Sequence, residues 1–401
     1  MPGRGKPGGG LLAMKILQVL GGGKWGGGCV VVRSYVAELI ARGNEVWVVC
    51  LDDGVARKFA EVGAKPIRSP FWFHPINPFD LFPFLQLWWL CRRERFDLVA
   101  THTSKGGILG RFAATLAGIP RIVHHAHGFA FRETQKPWIR RCYIIFERIA
   151  ARACDLIISV SEDHRQKGIQ EGVAPAGKIV TVLNGIETGR FGRTSAPDAR
   201  RMLGLETGDV LIGVASRLAP KKGVGDLIQA FPIVHRRFPN TRLVLLGEGP
   251  ARAELERQAQ ASGLGDRIHF TGFRDNVPDL LSAFDIVVQP SISEGLSISV
   301  LEGLAAGKPT LACDIEGNRE ILRTGRNGLL VPPSDPASLA AAICSLIEDP
   351  QYAGELGLAA QADCRERFSQ TRMIEQILDV YRKLASKTVP AAWAVSCPTQ
   401  K

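Results

Sequence analysis

The segment that most restricts the fold of this chain runs from residue 284 to residue 313. Apolar and β-branched residues from Phe284 to Gln289 indicate a buried parallel strand, which Pro290 ends. The following residues predict a helix over Ser297–Ala306 and a second buried strand over Pro309–Cys313. A strand, a loop, a helix and another strand form the repeating unit of parallel α/β sheets. The chain is therefore expected to contain such a sheet.

The loop between this strand and this helix carries Glu294 and Gly295. Such a loop meets the start of a helix, where unbonded backbone N–H groups and the helix dipole attract a phosphate. Glu302 follows Glu294 by eight residues, slightly more than two helical turns. This spacing suits two glutamates that face a ligand at different depths. It equally suits a helix-capping Glu294 and a solvated Glu302.

The residues around the two glutamates resemble the signature of glycosyltransferase family 4. The segments that carry the resemblance are Glu294-Gly295-Leu296, Leu301-Glu302-Gly303, Ala306-Gly307-Lys308-Pro309 and Gly317-Asn318-Arg319-Glu320, and the glutamates match the E-x7-E motif of that family. Its members are retaining, nucleotide-sugar-dependent transferases with the two-domain GT-B fold. Gly303 departs from the family pattern, which usually has alanine at this position.

The resemblance implies a role for each residue of this segment. Glu294 would face the donor sugar and its diphosphate, and Glu302 would bind the ribose hydroxyls. The backbone N–H groups of Gly295, Leu296 and Ser297 would hold phosphate.

A second donor motif follows the predicted strand Val210–Ala215. Arg217 and Lys222 resemble the pair with which the family clamps the donor diphosphate, although Ser216 replaces the usual glycine. Negative charge accumulates on the leaving diphosphate as the glycosidic bond breaks, and fixed cations stabilise it. The alternative is a pair of solvated basic side chains. Further along the chain, relatives use the backbone of the loop at Phe273 to contact the base of the donor.

The first half of the chain begins with a predicted strand, Lys15–Leu20, and a glycine-rich loop. Residues 21, 23 and 26 fit G-x-G-x-x-G, and Asp52 ends the next predicted strand, so an NAD-dependent Rossmann oxidoreductase is an alternative. A run this rich in glycine, however, matches many patterns by chance. In family 4 a glycine loop borders the cleft here, which assigns Gly21, Gly22 and Gly23 to the donor site.

Two further loops fall at the carboxyl ends of predicted parallel strands, where open α/β sheets bind ligands. Ser104 and Lys105 follow the strand Phe96–Thr101 and are assigned to the acceptor. His127 follows the strand Arg121–His125. A histidine there is commonly a hydrogen-bonded structural residue, but it matches the position where relatives place a histidine beside the donor sugar. Residues 102–129 also resemble the subset of the family that extends polyprenyl-linked capsule and O-antigen glycans.

The length of 401 residues is too great for one core and suits two domains. The expected division is a disordered extension (1–13), an acceptor-binding domain (14–192), a donor-binding domain (200–368), a helix that packs back on the first domain (369–386) and a tail (387–401). Nine scattered cysteines without a C-x-x-C pair argue against a zinc site and against a disulfide framework. No run reaches the roughly 18 apolar residues of a membrane-spanning helix.

The net charge of +11 is concentrated in the first half of the chain. Residues 1–190 contain 26 Lys and Arg against 15 Asp and Glu, so the remaining 24 of the 50 basic and 24 of the 39 acidic residues balance. Within this half, residues 66–95 are rich in aromatic side chains, and Trp88 and Trp89 precede Arg92, Arg93 and Arg95. Aromatic side chains beside arginines suit a membrane interface or a lipid-linked substrate. The alternative is an aromatic helix packed on the sheet.

These patterns predict an α/β protein with two Rossmann-like, doubly wound parallel-sheet domains that face each other across a cleft, as in the GT-B fold. The resemblance implies a retaining hexosyltransferase that uses a nucleotide sugar, with UDP expected, and a polyprenyl-diphosphate-linked acceptor. We expect peripheral association with an anionic membrane surface on the cytoplasmic side, no cofactor and no nucleic-acid partner. Two other classes are a nucleotide-sugar epimerase of the same fold, which should lack the Glu294/Glu302 pair, and a basic nucleic-acid-binding module, which leaves the donor motifs unexplained.

The absence of an Asp-x-Asp sequence yields a prediction about metal ions. No such carboxylate pair is available for Mg²⁺ or Mn²⁺, and cationic side chains are expected to neutralise the diphosphate instead. Sugar transfer should therefore persist in EDTA, as measured by release of nucleoside diphosphate. A strict requirement for an added divalent ion would show that the diphosphate is held differently.

Overall fold

The computed structural model describes residues 13–21, 25–69, 78–131, 135–205 and 208–386. The segments 1–12 and 387–401 lie outside these residues, as do Gly22 and Gly23 of the predicted donor site and the aromatic residues 71–73. The chain divides into two compact units. The first contains the residues up to Leu183 together with those from Met373 onward, and the second contains Asn184–Arg372.

The first unit is built on a seven-stranded parallel sheet. Its strands are β1 (Lys15–Val19), β2 (Glu45–Cys50), β3 (Lys65–Arg68), β4 (Leu98–His102), β5 (Ile122–Ala126), β6 (Leu156–Ser159) and β7 (Ile179–Thr181). Its helices are α1 (Gly27–Ala41), α2 (Asp53–Ala60), α3 (Leu81–Glu94), α4 (Ser104–Leu116), α5 (Pro137–Arg152) and α6 (Glu162–Gln170). The strand order is β3-β2-β1-β4-β5-β6-β7, so the winding direction reverses between β1 and β4.

The second unit repeats this plan with six parallel strands. They are β8 (Val210–Ala215), β9 (Thr241–Leu246), β10 (Ile268–Gly272), β11 (Ile286–Gln289), β12 (Thr310–Cys313) and β13 (Leu329–Val331). The helices are α7 (Ala196–Met202), α8 (Val224–Arg237), α9 (Arg252–Ala261), α10 (Val277–Leu280), α11 (Ile298–Ala305), α12 (Glu316–Arg319), α13 (Pro336–Glu348), α14 (Pro350–Arg367) and α15 (Gln370–Ala385), which ends in the first unit. The order β10-β9-β8-β11-β12-β13 reverses between β8 and β11.

Burial explains why these segments form strands. Every residue of β4, β5, β11 and β12 is buried, as expected for parallel strands that helices cover on both faces. In the second unit, Phe231 of α8 packs with Leu243 and Leu245 of β9 in one apolar cluster. The predicted α/β class with two doubly wound parallel sheets is therefore confirmed, and each sheet has one switch point at which ligands commonly bind.

The division between the units falls after Leu183, nine residues before the expected end of the first domain. The reason is a contact with the start of α15. A Cβ atom at Gly185 would lie 2.4 Å from the carbonyl oxygen of Ser369, and the Ile186 N–H donates to the Phe368 carbonyl oxygen at 2.9 Å. Residues just after Leu183 thus pack within the second unit.

Helix α15 leaves the second unit after Arg372. From there it packs on the first unit, where the Tyr381 hydroxyl lies 2.9 Å from His125 Nε2. Arg121 Nε donates to the Leu384 carbonyl oxygen at 2.6 Å. Helix α15 therefore adds buried side chains to the first unit.

Candidate functional site: converging loops in the second unit and a histidine network in the first

The loops that follow β8 and β11 meet at the switch point of the second sheet. The Ile292 N–H donates to the Lys221 carbonyl oxygen at 3.0 Å. Gly223 has a φ of +64°, and a Cβ atom there would lie 1.9 Å from the carbonyl oxygen of Pro290. Because any other residue would be strained and would clash, the packing of the two loops depends on this glycine.

Lys222 and Glu294 are brought together by this packing. Lys222 Nζ donates to Glu294 Oε1, and the two side chains are 17% and 12% exposed. Gly317, from the fourth segment of the predicted motif, lies behind them. A Cβ atom at Gly317 would lie 2.7 Å from the Glu294 carbonyl oxygen, so glycine lets α12 approach the loop closely. Both donor motifs found in the sequence therefore converge on one ion pair.

Arg217, the other cation of the predicted clamp, is exposed. Its guanidinium has no hydrogen bond or ion pair with any residue that the structure describes. All five N–H donors of Arg217 are thus available to an anion, whereas the charge of Lys222 is balanced by Glu294. The net positive charge of this site resides on Arg217.

The start of α11 adds backbone donors to this site. Ser297 is the N-cap, and its Oγ accepts from the Val300 N–H at 3.4 Å. Within the described parts of the chain, the N–H groups of Gly295, Leu296 and Ser297 have no hydrogen-bond acceptor. Ser299 Oγ donates to the Ala215 carbonyl oxygen at 2.6 Å, which attaches the helix to the end of β8. Free N–H groups at a helix start are an anion site.

Glu302 lies on α11, one turn deeper than this helix start. Burial raises the pKa of Glu302 to about 7, although the positive charges of Lys222 and Arg190 lower it. The carboxyl group is therefore poised to accept or donate a hydrogen bond near neutral pH. The adjacent departure from the family pattern also has a structural reason. A Cβ atom at Gly303 would lie 2.7 Å from Thr310 Oγ1, so alanine here would require the Thr310 side chain to shift.

Phe273 follows β10 and is 58% exposed. The preceding residue, Gly272, accepts a hydrogen bond from the Gly247 N–H at 2.9 Å, which joins the loops after β9 and β10. An exposed aromatic ring at the carboxyl end of a strand offers a stacking surface for a planar group.

In the first unit, His127 is the outer member of a buried polar network. His127 Nε2 lies 3.0 Å from His102 Nδ1, and His102 Nε2 lies 2.8 Å from Gln18 Oε1. The hydroxyl of Tyr35 is 3.2 Å from His102 Nε2. Strands β1 and β4, helix α1 and the loop after β5 contribute to this network, which orients the ring of His127.

The network also assigns the proton positions, since a carbonyl oxygen only accepts. His102 donates from Nε2 to Gln18, so its Nδ1 accepts and His127 donates from Nε2. Nδ1 of His127 then carries a lone pair, which suits a hydroxyl donor. Burial lowers the pKa of His127 to about 4 and that of His102 well below its usual value, so both rings are neutral at pH 7.

The remaining predicted residues lie at the switch point of the first sheet. A Cβ atom at Gly21, whose φ is +56°, would lie 2.5 Å from the Cα of Gly106, so the loop after β1 touches the start of α4. Ser104 begins that helix. The ammonium of Lys105 lies 2.6 Å from Asp80 Oδ1, just before α3, and both side chains are mostly buried. Lys105 therefore already has a carboxylate partner.

Sequence reasoning missed Gln18, His102, Asp80 and Arg190. Gln18 had a signal, because a polar residue inside the apolar strand β1 requires a partner. The others had none, because their roles depend on distant elements. In the described ranges, no group of three or more His, Cys, Asp or Glu side chains is arranged to hold a metal ion.

Comparison with protein families gives two matches that together span both units. The family model of glycosyl transferases group 1 matches residues 195–363, and that of Glycosyltransferase Family 4 matches residues 25–190.

Two relatives match most of the chain. The protein EpsD of Bacillus subtilis, which carries a glycosyltransferase name, is 32% identical over 78% of this chain and 82% of that protein. The UDP-Gal:alpha-D-GlcNAc-diphosphoundecaprenol alpha-1,3-galactosyltransferase of Escherichia coli is 27% identical over 84% of this chain and 88% of its own length.

Solved structures share the fold. HepE of Anabaena in complex with UDP and glucose is 25% identical, covers 92% of this chain and 99% of its own, and superposes with a TM-score of 0.80. WaaG, a glycosyltransferase involved in lipopolysaccharide biosynthesis, gives a TM-score of 0.75 at 17% identity, over 91% of this chain and 99% of its own.

The raised pKa of Glu302 predicts a pH dependence of stability. Because its folded pKa of about 7 exceeds the ordinary 4.5, the folded protein binds this proton more tightly than the unfolded chain does. This contribution to the free energy of unfolding is present below pH 4.5 and is lost as the pH rises through about 7. Glu302→Gln should match the wild type at about pH 5 and exceed it at about pH 8 in chemical denaturation.

A surface substitution, Glu366→Gln, serves as the control and should leave the pH profile unchanged. An identical pH profile for Glu302→Gln and the wild type would contradict the raised pKa.

Proposed function

The chain belongs to glycosyltransferase family 4, and on this basis we propose that it transfers a sugar from a UDP-sugar to an acceptor hydroxyl. The proposed acceptor is a polyprenyl-diphosphate-linked glycan. The proposed reaction retains the anomeric configuration. The observation that carries this proposal is the convergence of Arg217, the Lys222–Glu294 pair and the start of α11 at the switch point of the second sheet. This arrangement matches the needs of a nucleoside diphosphate leaving group.

The chemistry of the leaving group explains why these residue types are needed. Charge on the diphosphate increases as the glycosidic bond breaks, and donors that are already in place stabilise it without reorganisation. Arg217 has free donors for bidentate contact with phosphate oxygens. The N–H groups of Gly295, Leu296 and Ser297 lie at the start of α11, where the positive end of the helix dipole also attracts the diphosphate. The second unit is thus proposed to bind the donor, with Glu302 on the ribose and Phe273 against the base.

UDP is proposed as the nucleotide because HepE, which shares the fold along nearly its whole length, was solved with UDP and with UDP-glucose. The acceptor class is proposed from the Escherichia coli relative, whose name states a GlcNAc-diphosphoundecaprenol acceptor. In the retaining reaction proposed here, the departing phosphate takes the proton of the acceptor hydroxyl, and no metal ion takes part. His127 Nδ1 is proposed to accept a hydrogen bond from a hydroxyl of the donor sugar.

The direct test is incubation of the protein with UDP-sugars and lipid-linked acceptors, followed by mass spectrometry of the products and measurement of released UDP. We expect an acceptor that gains one hexose mass for each UDP. UDP release from none of the donors would contradict the proposal.

The clamp is tested by Arg217→Ala and Lys222→Ala. Each variant should lower turnover at least about a hundredfold, which corresponds to about 3 kcal/mol of transition-state stabilisation. Lys221→Ala is the matched control because it removes the same charge one residue away. Near-normal turnover in either test variant, with thermal unfolding unchanged, would remove that residue from the site.

Membrane association is proposed to involve α3. No helix in the described residues is long and apolar enough to span a bilayer. Instead, α3 turns Leu87, Leu90 and Cys91 toward the core. Large exposed apolar side chains lie on the other side of α3 and two residues before its start; they are Phe79, Leu81, Phe82, Leu85, Trp88 and Trp89. The Arg93 guanidinium lies 4.9 Å from the Trp89 ring, so cations and aromatic rings share this surface.

The triple variant R92S/R93S/R95S tests this surface. Each basic residue near an anionic leaflet is worth about 1 kcal/mol, and salt screens the attraction. We expect the wild type to bind phosphatidylglycerol vesicles at low salt and to leave them at high salt, and the variant to bind more weakly while UDP-glucose binding is unchanged. Sedimentation with vesicles measures this.

The control is R236S/R237S/R257S, which removes the same charge from exposed helix positions of the second unit. Equal losses in both triple variants would show that overall charge, and not α3, governs vesicle binding.

A further inference from the structure

Helix α5 has an apolar side that no described residue covers. Its buried side consists of Ile144, Glu147, Ala150 and Ala151. On the other side, the exposed fractions are 67% for Trp138, 45% for Ile145, 40% for Phe146 and 43% for Ile149. At about 100° per residue, Trp138, Ile145 and Ile149 lie within about 40° of one another, with Phe146 beside them. These four residues form a continuous apolar stripe.

Arginines run along one edge of this stripe. Arg141, Arg148 and Arg152 are exposed and lie within about 40° of one another around the helix. An apolar stripe with a basic edge is the pattern of helices that lie in a membrane interface. Within the described ranges, neither Arg141 nor Arg152 has a hydrogen bond or ion pair to a side chain.

A cavity of about 690 Å³ opens on this basic edge. Its lining consists of Gln135, Pro137, Arg140, Arg141, Ile144, Ile145, Arg148 and Glu171. Three guanidinium groups thus face one carboxylate. Glu171 accepts from Arg140 Nη2, and its carbonyl oxygen accepts from Arg148 Nε and Nη2 at 2.9 and 2.6 Å. The cavity keeps a net charge of about +2.

Several N–H donors of the cavity remain unused. The buried Nε of Arg140 has no acceptor among the described residues. Among the described residues, none of the N–H donors of Arg141 has an acceptor, and Nη1 of Arg148 has none either. Guanidinium groups in such a cluster match the oxygens of a phosphate group better than those of any neutral ligand.

We propose that α5 docks on an anionic phospholipid bilayer, with its apolar stripe among the acyl chains and a lipid phosphate in the arginine cavity. A soluble phosphate would leave the adjacent stripe without a role. A second copy of the chain is disfavoured, because a symmetric contact would bring the same positive edges together. Helix α4 packs against both α3 and α5, so the three helices are neighbours in the first unit.

This inference extends the membrane association proposed above and is tested without donor or acceptor. Cys142 lies within the stripe and is exposed, so it is a native position for a fluorophore. With Cys29→Ser and Cys397→Ser to prevent other labelling, the label on the full chain should be shielded from iodide when phosphatidylglycerol vesicles are added. Phosphatidylcholine vesicles should shield it less.

Arg141→Gln and Arg152→Gln form a matched pair, because only Arg141 lines the cavity. Loss of one surface charge should weaken vesicle binding about fivefold in Arg152→Gln. Arg141→Gln should weaken it at least about tenfold, because a charge-assisted bond to phosphate is also lost. Equal losses would overturn the cavity as a phosphate site.

Three other results would overturn docking by α5. They are vesicle binding that leaves the Cys142 label open to iodide, shielding by inorganic phosphate alone, and shielding by self-association without vesicles. In the first case the α3 surface would account for membrane binding by itself. None of these results bears on sugar transfer, which UDP release measures separately.

Discussion

The contact between the loops after β8 and β11 is the constraint on which the proposed donor site depends. Gly223 lies against the carbonyl oxygen of Pro290 at a distance that leaves no room for a Cβ atom. This contact brings Lys222 beside Glu294, although 72 residues separate them. The ion pair in turn orients the loop that leads into α11. A cation from one motif, a carboxylate from the other and a helix start thus occupy one small region.

The charge balance of this region is consistent with the proposed binding of a diphosphate. Lys222 and Glu294 largely neutralise each other, so the pair is stable when no ligand is bound. Arg217 and the start of α11 then supply the attraction for an anion. Because the pKa of Glu302 is raised to about 7, this carboxyl group is mostly protonated below neutral pH and repels a bound anion little. The site combines strong phosphate attraction with little repulsion between its own groups.

In the first unit, polar side chains that are distant in sequence meet because the strands that carry them are adjacent. Gln18 and His102 are 84 residues apart, yet β1 and β4 are adjacent at the switch point, so the two side chains form a hydrogen bond. His127 at the end of the next strand, β5, completes the row. The helices on one side of this sheet, α3 and α5, instead expose aromatic and basic residues. One unit therefore presents a neutral polar network and two apolar surfaces with basic edges.

The sequence by itself determined the α/β class, the two donor motifs and their family, because strand periodicity and motif spacing are local properties of the chain. The motifs also contain Gly223 and Gly317, but the sequence does not show the contacts that require glycine at these two positions. Only the tertiary structure decided that Lys222 pairs with Glu294, that Lys105 is held by Asp80, and that His102 orients His127. It also moved the division between the units to Leu183 and exposed one side of α5. Each of these depends on which strands and helices become neighbours, and that order arises from packing of the whole sheet rather than from any local pattern.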